Sequence, residues 1–223
     1  MNVEFPDLYD DMGKACNIAL YHAHCDFDPF ITVIKNNEIS IKALNEYYHN
    51  LSRTARENND WITEDNAMRN SMIYMARAVP YSYYSLVIIM MSLLEEAFNT
   101  LCRAYAIVEK KSITYEAIEG TGLDRAFKYL EKEIGIHKIK KNSNWDFVKA
   151  IRMARNCIVH DGGFVKKEKR EFLSKHGFYI CDESSRVLFE SDEIYKIYDT
   201  IVSFIDETFI IEPTKGGGKN GRA

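Results

Sequence analysis

The stretch Tyr81-Ser-Tyr-Tyr-Ser-Leu-Val-Ile-Ile-Met-Met-Ser-Leu-Leu-Glu-Glu-Ala-Phe-Asn-Thr-Leu-Cys102 decides the fold class. On a 3.6-residue period Ile88, Met91, Phe98 and Cys102 fall on one stripe, and Glu95 lies among them. Glu96 falls instead with Ser92, Thr100 and Arg103 on a face suited to water. The run between Arg77 and Glu95 has no charge over 17 residues, the low edge of the roughly 17–25 that a membrane span needs. It holds Pro80, three tyrosines and three serines, so a buried core helix running to about Val108 is the expectation.

Outward from this helix the chain reads as more helix. Residues 7–25 and 39–59 are helix candidates, and Thr63 offers an N-cap to a segment with Met68, Met72, Met75 and Val79 at helical spacing. Pro80 ends or kinks that segment. A short turn over Tyr115–Glu119 closes at Gly120. Thr121-x-x-Asp124 has the form of a capping box, opening a helix that stops at Gly135. Ser143 and Asp146 repeat the device for a helix from Trp145 to Val159, stopped by Asp161-Gly162-Gly163. The charged stretch Lys166–Arg170 reads as a solvated loop. Gly177–Ile180 and Arg186–Phe189 read as two short strands around Asp182–Ser185. Ser191 caps a last helix with the stripe Ile194, Ile197, Ile201, Ile205 and Phe209. The expected architecture is all-α: a helical bundle with a small β-hairpin before the last helix, one domain over residues 1–211, and a flexible Gly- and Lys-rich tail over 212–223.

Composition bounds the function. The chain has 223 residues, 29 Lys plus Arg against 33 Asp plus Glu, and a net charge of −4. It is no generic polycation, so a nucleic-acid role needs a local basic patch. Five scattered cysteines without a C-x-x-C pair point to free thiols in a reducing cytoplasm. No phosphate-cradling glycine loop and no Ser-His-Asp pattern is present. His22-Ala-His24-Cys25-Asp26 offers metal-type side chains without a second cluster, so no metal or other cofactor is expected.

The chemistry concentrates on the helix from Trp145. Phe147, Val148, Ile151, Ala154, Ile158 and Val159 form an apolar face with Arg155 in its middle, which must snorkel out or find a partner. Glu95 is the matching inward acid, and a buried Glu95–Arg155 pair fixing helix register is the plain structural reading. Asn156 and His160 are four residues apart and share a face. Arg155 and His160 are five apart, about 140° around an ideal helix. They converge only if the helix ends before His160 or if two copies meet across a two-fold axis.

The segment Ile151-Arg-Met-Ala-Arg-Asn-Cys-Ile-Val-His-Asp-Gly-Gly163 resembles the signature of HEPN-domain proteins, helical and usually dimeric, with an R-x(4–6)-H motif often carrying a polar residue after the arginine. Arg155, Asn156 and His160 match those places. Leu94-Glu-Glu-Ala-Phe-Asn-Thr-Leu-Cys102 resembles the acid-bearing helix of prokaryotic members, with Glu95 in the acid's place. The resemblance covers roughly residues 80–210 and leaves 1–75 unplaced. The bare spacing is unspecific, since Arg170 and His176 match it too, in a Lys/Glu-rich stretch without an apolar face.

The resemblance implies a metal-independent endoribonuclease. His160 would be the general acid/base and Arg155 the phosphate clamp. Asn156 would position the phosphate or the histidine, and Glu95 would orient Arg155. It also implies a homodimer with the site at its interface, RNA as substrate, no membrane, and a toxin or anti-phage setting with a cognate antitoxin or regulatory partner. The Lys166–Arg170 run could steer RNA, and Tyr81, Tyr83 and Tyr84 could stack bases. The alternatives are a non-catalytic HEPN module for dimerisation or for RNA or nucleotide binding, and an unrelated helical protein.

Overall fold

The computed structural model describes residues 12–209. Helices α1 (Met12–Glu57), α2 (Trp61–Ile73), α3 (Val79–Val108), α4 (Gly122–Tyr129), α5 (Trp145–Asp161), α6 (Lys167–Lys175) and α7 (Ser191–Phe209) account for most of it. An antiparallel hairpin of β1 (Tyr179–Ile180) and β2 (Val187–Leu188) precedes α7. The fold is all-α with that small hairpin. The tail expected over 212–223 lies outside the described residues, as does the start of the helix expected from residue 7.

Two expected helices are one. α1 is a single helix of 46 residues with Pro29 inside it. Proline lacks the N–H for an intrahelical bond. The apolar stripe nevertheless continues across it, because Ala23, Phe27, Phe30 and Ile34 are all buried at spacings of three and four. Packing of that stripe overrides the local cost, and Tyr198 donates its hydroxyl to the Phe27 carbonyl two residues before the proline, at 3.2 Å.

Asp60, not Thr63, caps α2. Its carboxylate accepts the Thr63 backbone N–H at 3.1 Å and the Thr63 hydroxyl at 2.6 Å. These bonds hold the Asp60 carboxyl below its usual range. A carboxyl depressed on folding stabilises above its unfolded pKa, and that contribution disappears as pH falls through the folded value. Asp60→Ala should therefore speed hydrogen exchange at the amides of α2's first turn at neutral pH. In wild type the same speeding should appear only on acidification below about pH 4. An unchanged exchange pattern in Asp60→Ala would refute the cap.

Pro80 deforms the helix without ending it. One π-helical turn, Tyr74–Ala78, joins α2 to α3, and the Val79 N–H reaches back to the Tyr74 carbonyl. Of the expected stripe only Val79 is buried; Met68, Met72 and Met75 are exposed. Thr121 stands at the N-cap position of α4 in extended backbone, but its side chain makes no capping bond. Lys166–Arg170 is no loop: from Lys167 it forms α6, which buries only Leu173 and so lacks an apolar stripe to announce it.

The chain divides into two compact units. In the one formed by residues 12–26, 93–145 and 202–209, Phe98 is the hub of an aromatic core, with ring centroids 5.0 Å from Phe127, 5.7 Å from Phe204 and 5.2 Å from Phe209. Cys16 and Tyr105 meet in a buried hydrogen bond of 2.8 Å. In the other, residues 27–92 and 146–201, the core includes Val87, Met90, Ile151, Ala154, Val165, Leu173, Ile194 and Ile197. A line of rings runs Phe147, Phe178, Phe189, Tyr84 at centroid distances of 5.6, 5.9 and 6.1 Å. The stripe expected on α7 is buried throughout, from Ile194 to Phe209.

By length and composition the continuous helix Trp61–Val108 is apolar enough to cross a membrane, and half of its apolar window is buried inside the protein.

Candidate functional site

The C-terminal end of α5 is built by its glycines. The Gly163 N–H bonds the Cys157 carbonyl at 2.9 Å, six residues back, and so satisfies one of the last carbonyls of the helix. Gly162 and Gly163 take φ of 59° and 88°, the left-handed region that disfavours residues with a Cβ. The chain then runs beside β2: Val187 N–H bonds the Gly163 carbonyl at 2.9 Å, and Val165 N–H bonds the Ser185 carbonyl at 2.8 Å. Tyr84 is buried and donates to the Val187 carbonyl at 2.6 Å; its burial pushes the phenol above its ordinary pKa. Its ring lies so close to Gly163 that a Cβ there would sit 2.7 Å from Cζ. Arg170 joins the clamp, donating to the Val165 carbonyl at 3.3 Å and to the Ser185 hydroxyl. The decoy arginine of the sequence is thus a structural strut, and His176 is tied to the Phe172 carbonyl at 2.7 Å.

On this fixed helix end the motif residues are displayed. His160 is exposed, in the last turn of α5, and makes no hydrogen bond among the described residues. Arg155 is half-buried, and its Nη1 donates to the Asn156 Oδ1 at 3.1 Å. Its Nε is buried without a partner. The buried face of α5 is Val148, Ala150, Ile151, Ala154, Cys157 and Ile158, while Val159 is 47% exposed. Arg155 therefore flanks the core stripe and does not stand in its middle. The helix continues to Asp161, so Arg155 and His160 diverge by about 140° on one unbroken helix.

Glu95 belongs to the other unit. It is half-buried, and its Oε1 would lie 3.0 Å from a Cβ placed at Gly122, the first residue of α4. Neither Glu95 nor Arg155 forms an ion pair among the described residues. Glu96 behaves as its face implied, pairing with Arg103 at 3.1 Å. Arg155 and Asn156 are thus brought together, His160 shares their helix, and no described bond links Glu95 to them.

Of the possible stacking tyrosines, Tyr83 and Tyr84 are buried and Tyr81 is 55% exposed. His24 bonds Asp206 at 2.9 Å, and among the described residues no group of three or more His, Cys, Asp or Glu is placed to hold a metal ion. The role of Tyr84 was not legible in the sequence; its only signal was the doubled glycine after His160, which marks a close backbone approach without naming what approaches.

The thiols sort by environment. Burial raises the pKa of Cys16, Cys102 and Cys157. The Ser184 hydroxyl and the turn backbone lower that of Cys181. A disulfide reagent at neutral pH should label Cys181 and the exposed Cys25 in the native protein and reach the buried three only on unfolding. Mass mapping of labelled peptides checks this, and rapid labelling of Cys157 would contradict the packing described for α5.

Comparison with protein-family models, with curated proteins and with solved structures finds no match for this chain.

Proposed function

We propose that this chain is a metal-independent endoribonuclease of the HEPN type, acting through Arg155 and His160. The observation that carries the reading is the arrangement on α5. A half-buried guanidinium is held by Asn156, five residues before an exposed histidine at a glycine-closed helix end. An arginine fork binds a phosphate and stabilises charge growing on it. An imidazole can both accept and donate a proton near neutrality. Asn156, with its carbonyl engaged by Arg155, keeps its amide N–H groups for a phosphate oxygen.

In this scheme the RNA 2′-hydroxyl attacks the adjacent phosphorus and loses its proton to one histidine. The bond to the 5′-oxygen breaks, and a second histidine protonates that oxygen. The products are a 2′,3′-cyclic phosphate and a 5′-hydroxyl, and DNA is spared for want of the 2′-hydroxyl. Two histidines require two copies of α5 at one cleft, so the scheme is dimeric. Glu95 is assigned no step. The setting is that of a cytoplasmic toxin or anti-phage effector held in check by a partner.

A second reading, a non-catalytic HEPN module, is favoured by one observation: Arg155 and His160 diverge on a single helix, so one copy alone does not aim both at one phosphate. The test is incubation of a structured RNA in EDTA with wild type, His160→Ala, Arg155→Ala and His176→Ala. Cutting should persist in wild type and His176→Ala and vanish in the other two. Binding without cutting by any protein selects the second reading. A monomer at micromolar concentration removes the two-histidine scheme.

A further inference from the structure

The hairpin of α1 and α2 leaves an amphipathic groove that the helices do not fill themselves. Between residues 39 and 78 only Ala55 and Ala67 are buried. With two alanines as their buried residues, these segments bury little apolar surface of their own. Between them lies a cavity of about 450 Å³ lined by Tyr48, His49, Arg53, Arg56, Met68 and Met72, with Asn45, Ser52 and Ser71. One end is closed by Arg56 on Glu64 at 2.6 Å, the other by Ser71 on Asn45 at 3.5 Å. Met68 and Met72 are 49% and 64% exposed. No carboxylate lines the groove. Arg53 bonds only the Asn50 amide oxygen, and His49 has no partner among the described residues. The surface asks for a segment that is apolar on one side and acidic on the other.

This chain carries such a segment. Residues 1–11, Met-Asn-Val-Glu-Phe-Pro-Asp-Leu-Tyr-Asp-Asp, contain four acids and no Lys or Arg. Phe5, Leu8 and Tyr9 stand at the i, i+3, i+4 spacing of groove anchors. The segment cannot serve its own groove. Met12 and Asn45 both lie in α1, and 33 helical steps separate them by about 50 Å. Eleven extended residues reach at most about 40 Å.

We propose that residues 1–11 of a second copy occupy the groove, with Asp7 and Asp10 facing His49 and Arg53 and the apolar anchors on Met68 and Met72. Two copies exchange these segments reciprocally. The surface is distinct from the Arg155–His160 helix end, and the exchange does not depend on the ribonuclease reading.

Sedimentation equilibrium of the full chain tests it by charge exchange. Wild type should self-associate. Arg53→Glu alone, and Asp7→Lys with Asp10→Lys alone, should each weaken association at least tenfold while keeping the wild-type circular dichroism. An equimolar mixture of the two variants should recover it, because each acquires the complementary partner. Association through other surfaces does not imitate this rescue. A monomeric wild type, variants that associate like wild type, or a mixture that recovers nothing would each overturn the exchange. A groove used for a nucleotide or an unrelated protein would produce one of those outcomes.

Discussion

Gly163→Ala is expected to lower the melting temperature by about 10 °C or more. Three costs coincide. The backbone sits at φ 88°, where an L side chain costs about 1–2 kcal/mol. The new Cβ would stand 2.7 Å from Tyr84 Cζ, so a buried ring must move within a close-packed core. That movement breaks the Tyr84–Val187 hydrogen bond, worth about 1 kcal/mol. The sum, about 3–5 kcal/mol, corresponds to about 2–4 °C per kcal/mol in a chain of this size. Gly162→Ala is the matched control. It has a positive φ of 59° but nothing within 4 Å of its Cβ, so it should lose only the backbone part. Tyr84→Phe in the Gly163→Ala background should recover part of the loss by removing the hydroxyl nearest the new methyl. A thermal melt of the four proteins reads all of this, and equal melting points for the two glycine variants would refute the close approach.

His160→Ala is expected to lower kcat/KM for RNA cleavage by about 10²–10⁴-fold, the usual worth of a positioned acid/base, with a melting temperature within about 2 °C of wild type. The two halves of the expectation have different grounds. His160 is exposed and without a bond among the described residues, so its removal leaves no buried group unpaired. Arg155 is different, because its Nε is buried and its Nη1 holds Asn156. Arg155→Lys keeps the charge and loses the fork, so it should cut poorly and bind RNA less tightly while still melting near wild type. A His160→Ala protein that cuts at the wild-type rate ends the ribonuclease proposal at this site. Loss of cutting together with a collapsed melt would not be counted for it, and the Lys variant is included to separate those cases.

Elements with a strong apolar period were legible in advance. The α7 stripe is buried as its spacing implies, and the turn of the hairpin falls between Cys181 and Arg186, where the Cys181 N–H meets the Arg186 carbonyl at 2.9 Å. What escaped was decided by tertiary packing. α1 runs through Pro29 because Phe27, Phe30 and Ile34 are held in a core. α6 forms from a charged stretch because Leu173 and the Arg170 strut dock it. At the candidate site, the residue types and the glycine stop could be read from the chain. The position of Arg155 at the flank of the stripe could not. A period that places six apolar residues on one arc does not say where the arc is covered, and here the cover shifts toward Ala150 and Cys157.

The π-helical turn at Tyr74–Ala78 sets the phase between two helices that otherwise read as one. Such a turn holds one residue more than the α-helical turn it replaces. Every side chain on its N-terminal side is therefore rotated by about 100° from where an uninterrupted helix would carry it. Ala67 is buried, and Met68 and Met72 open onto the groove, at the angle this extra residue dictates. Deleting a single residue between Tyr74 and Ala78 would act like a turned key: the local helix would become more regular, and the face that α2 presents to α1 would be a different one.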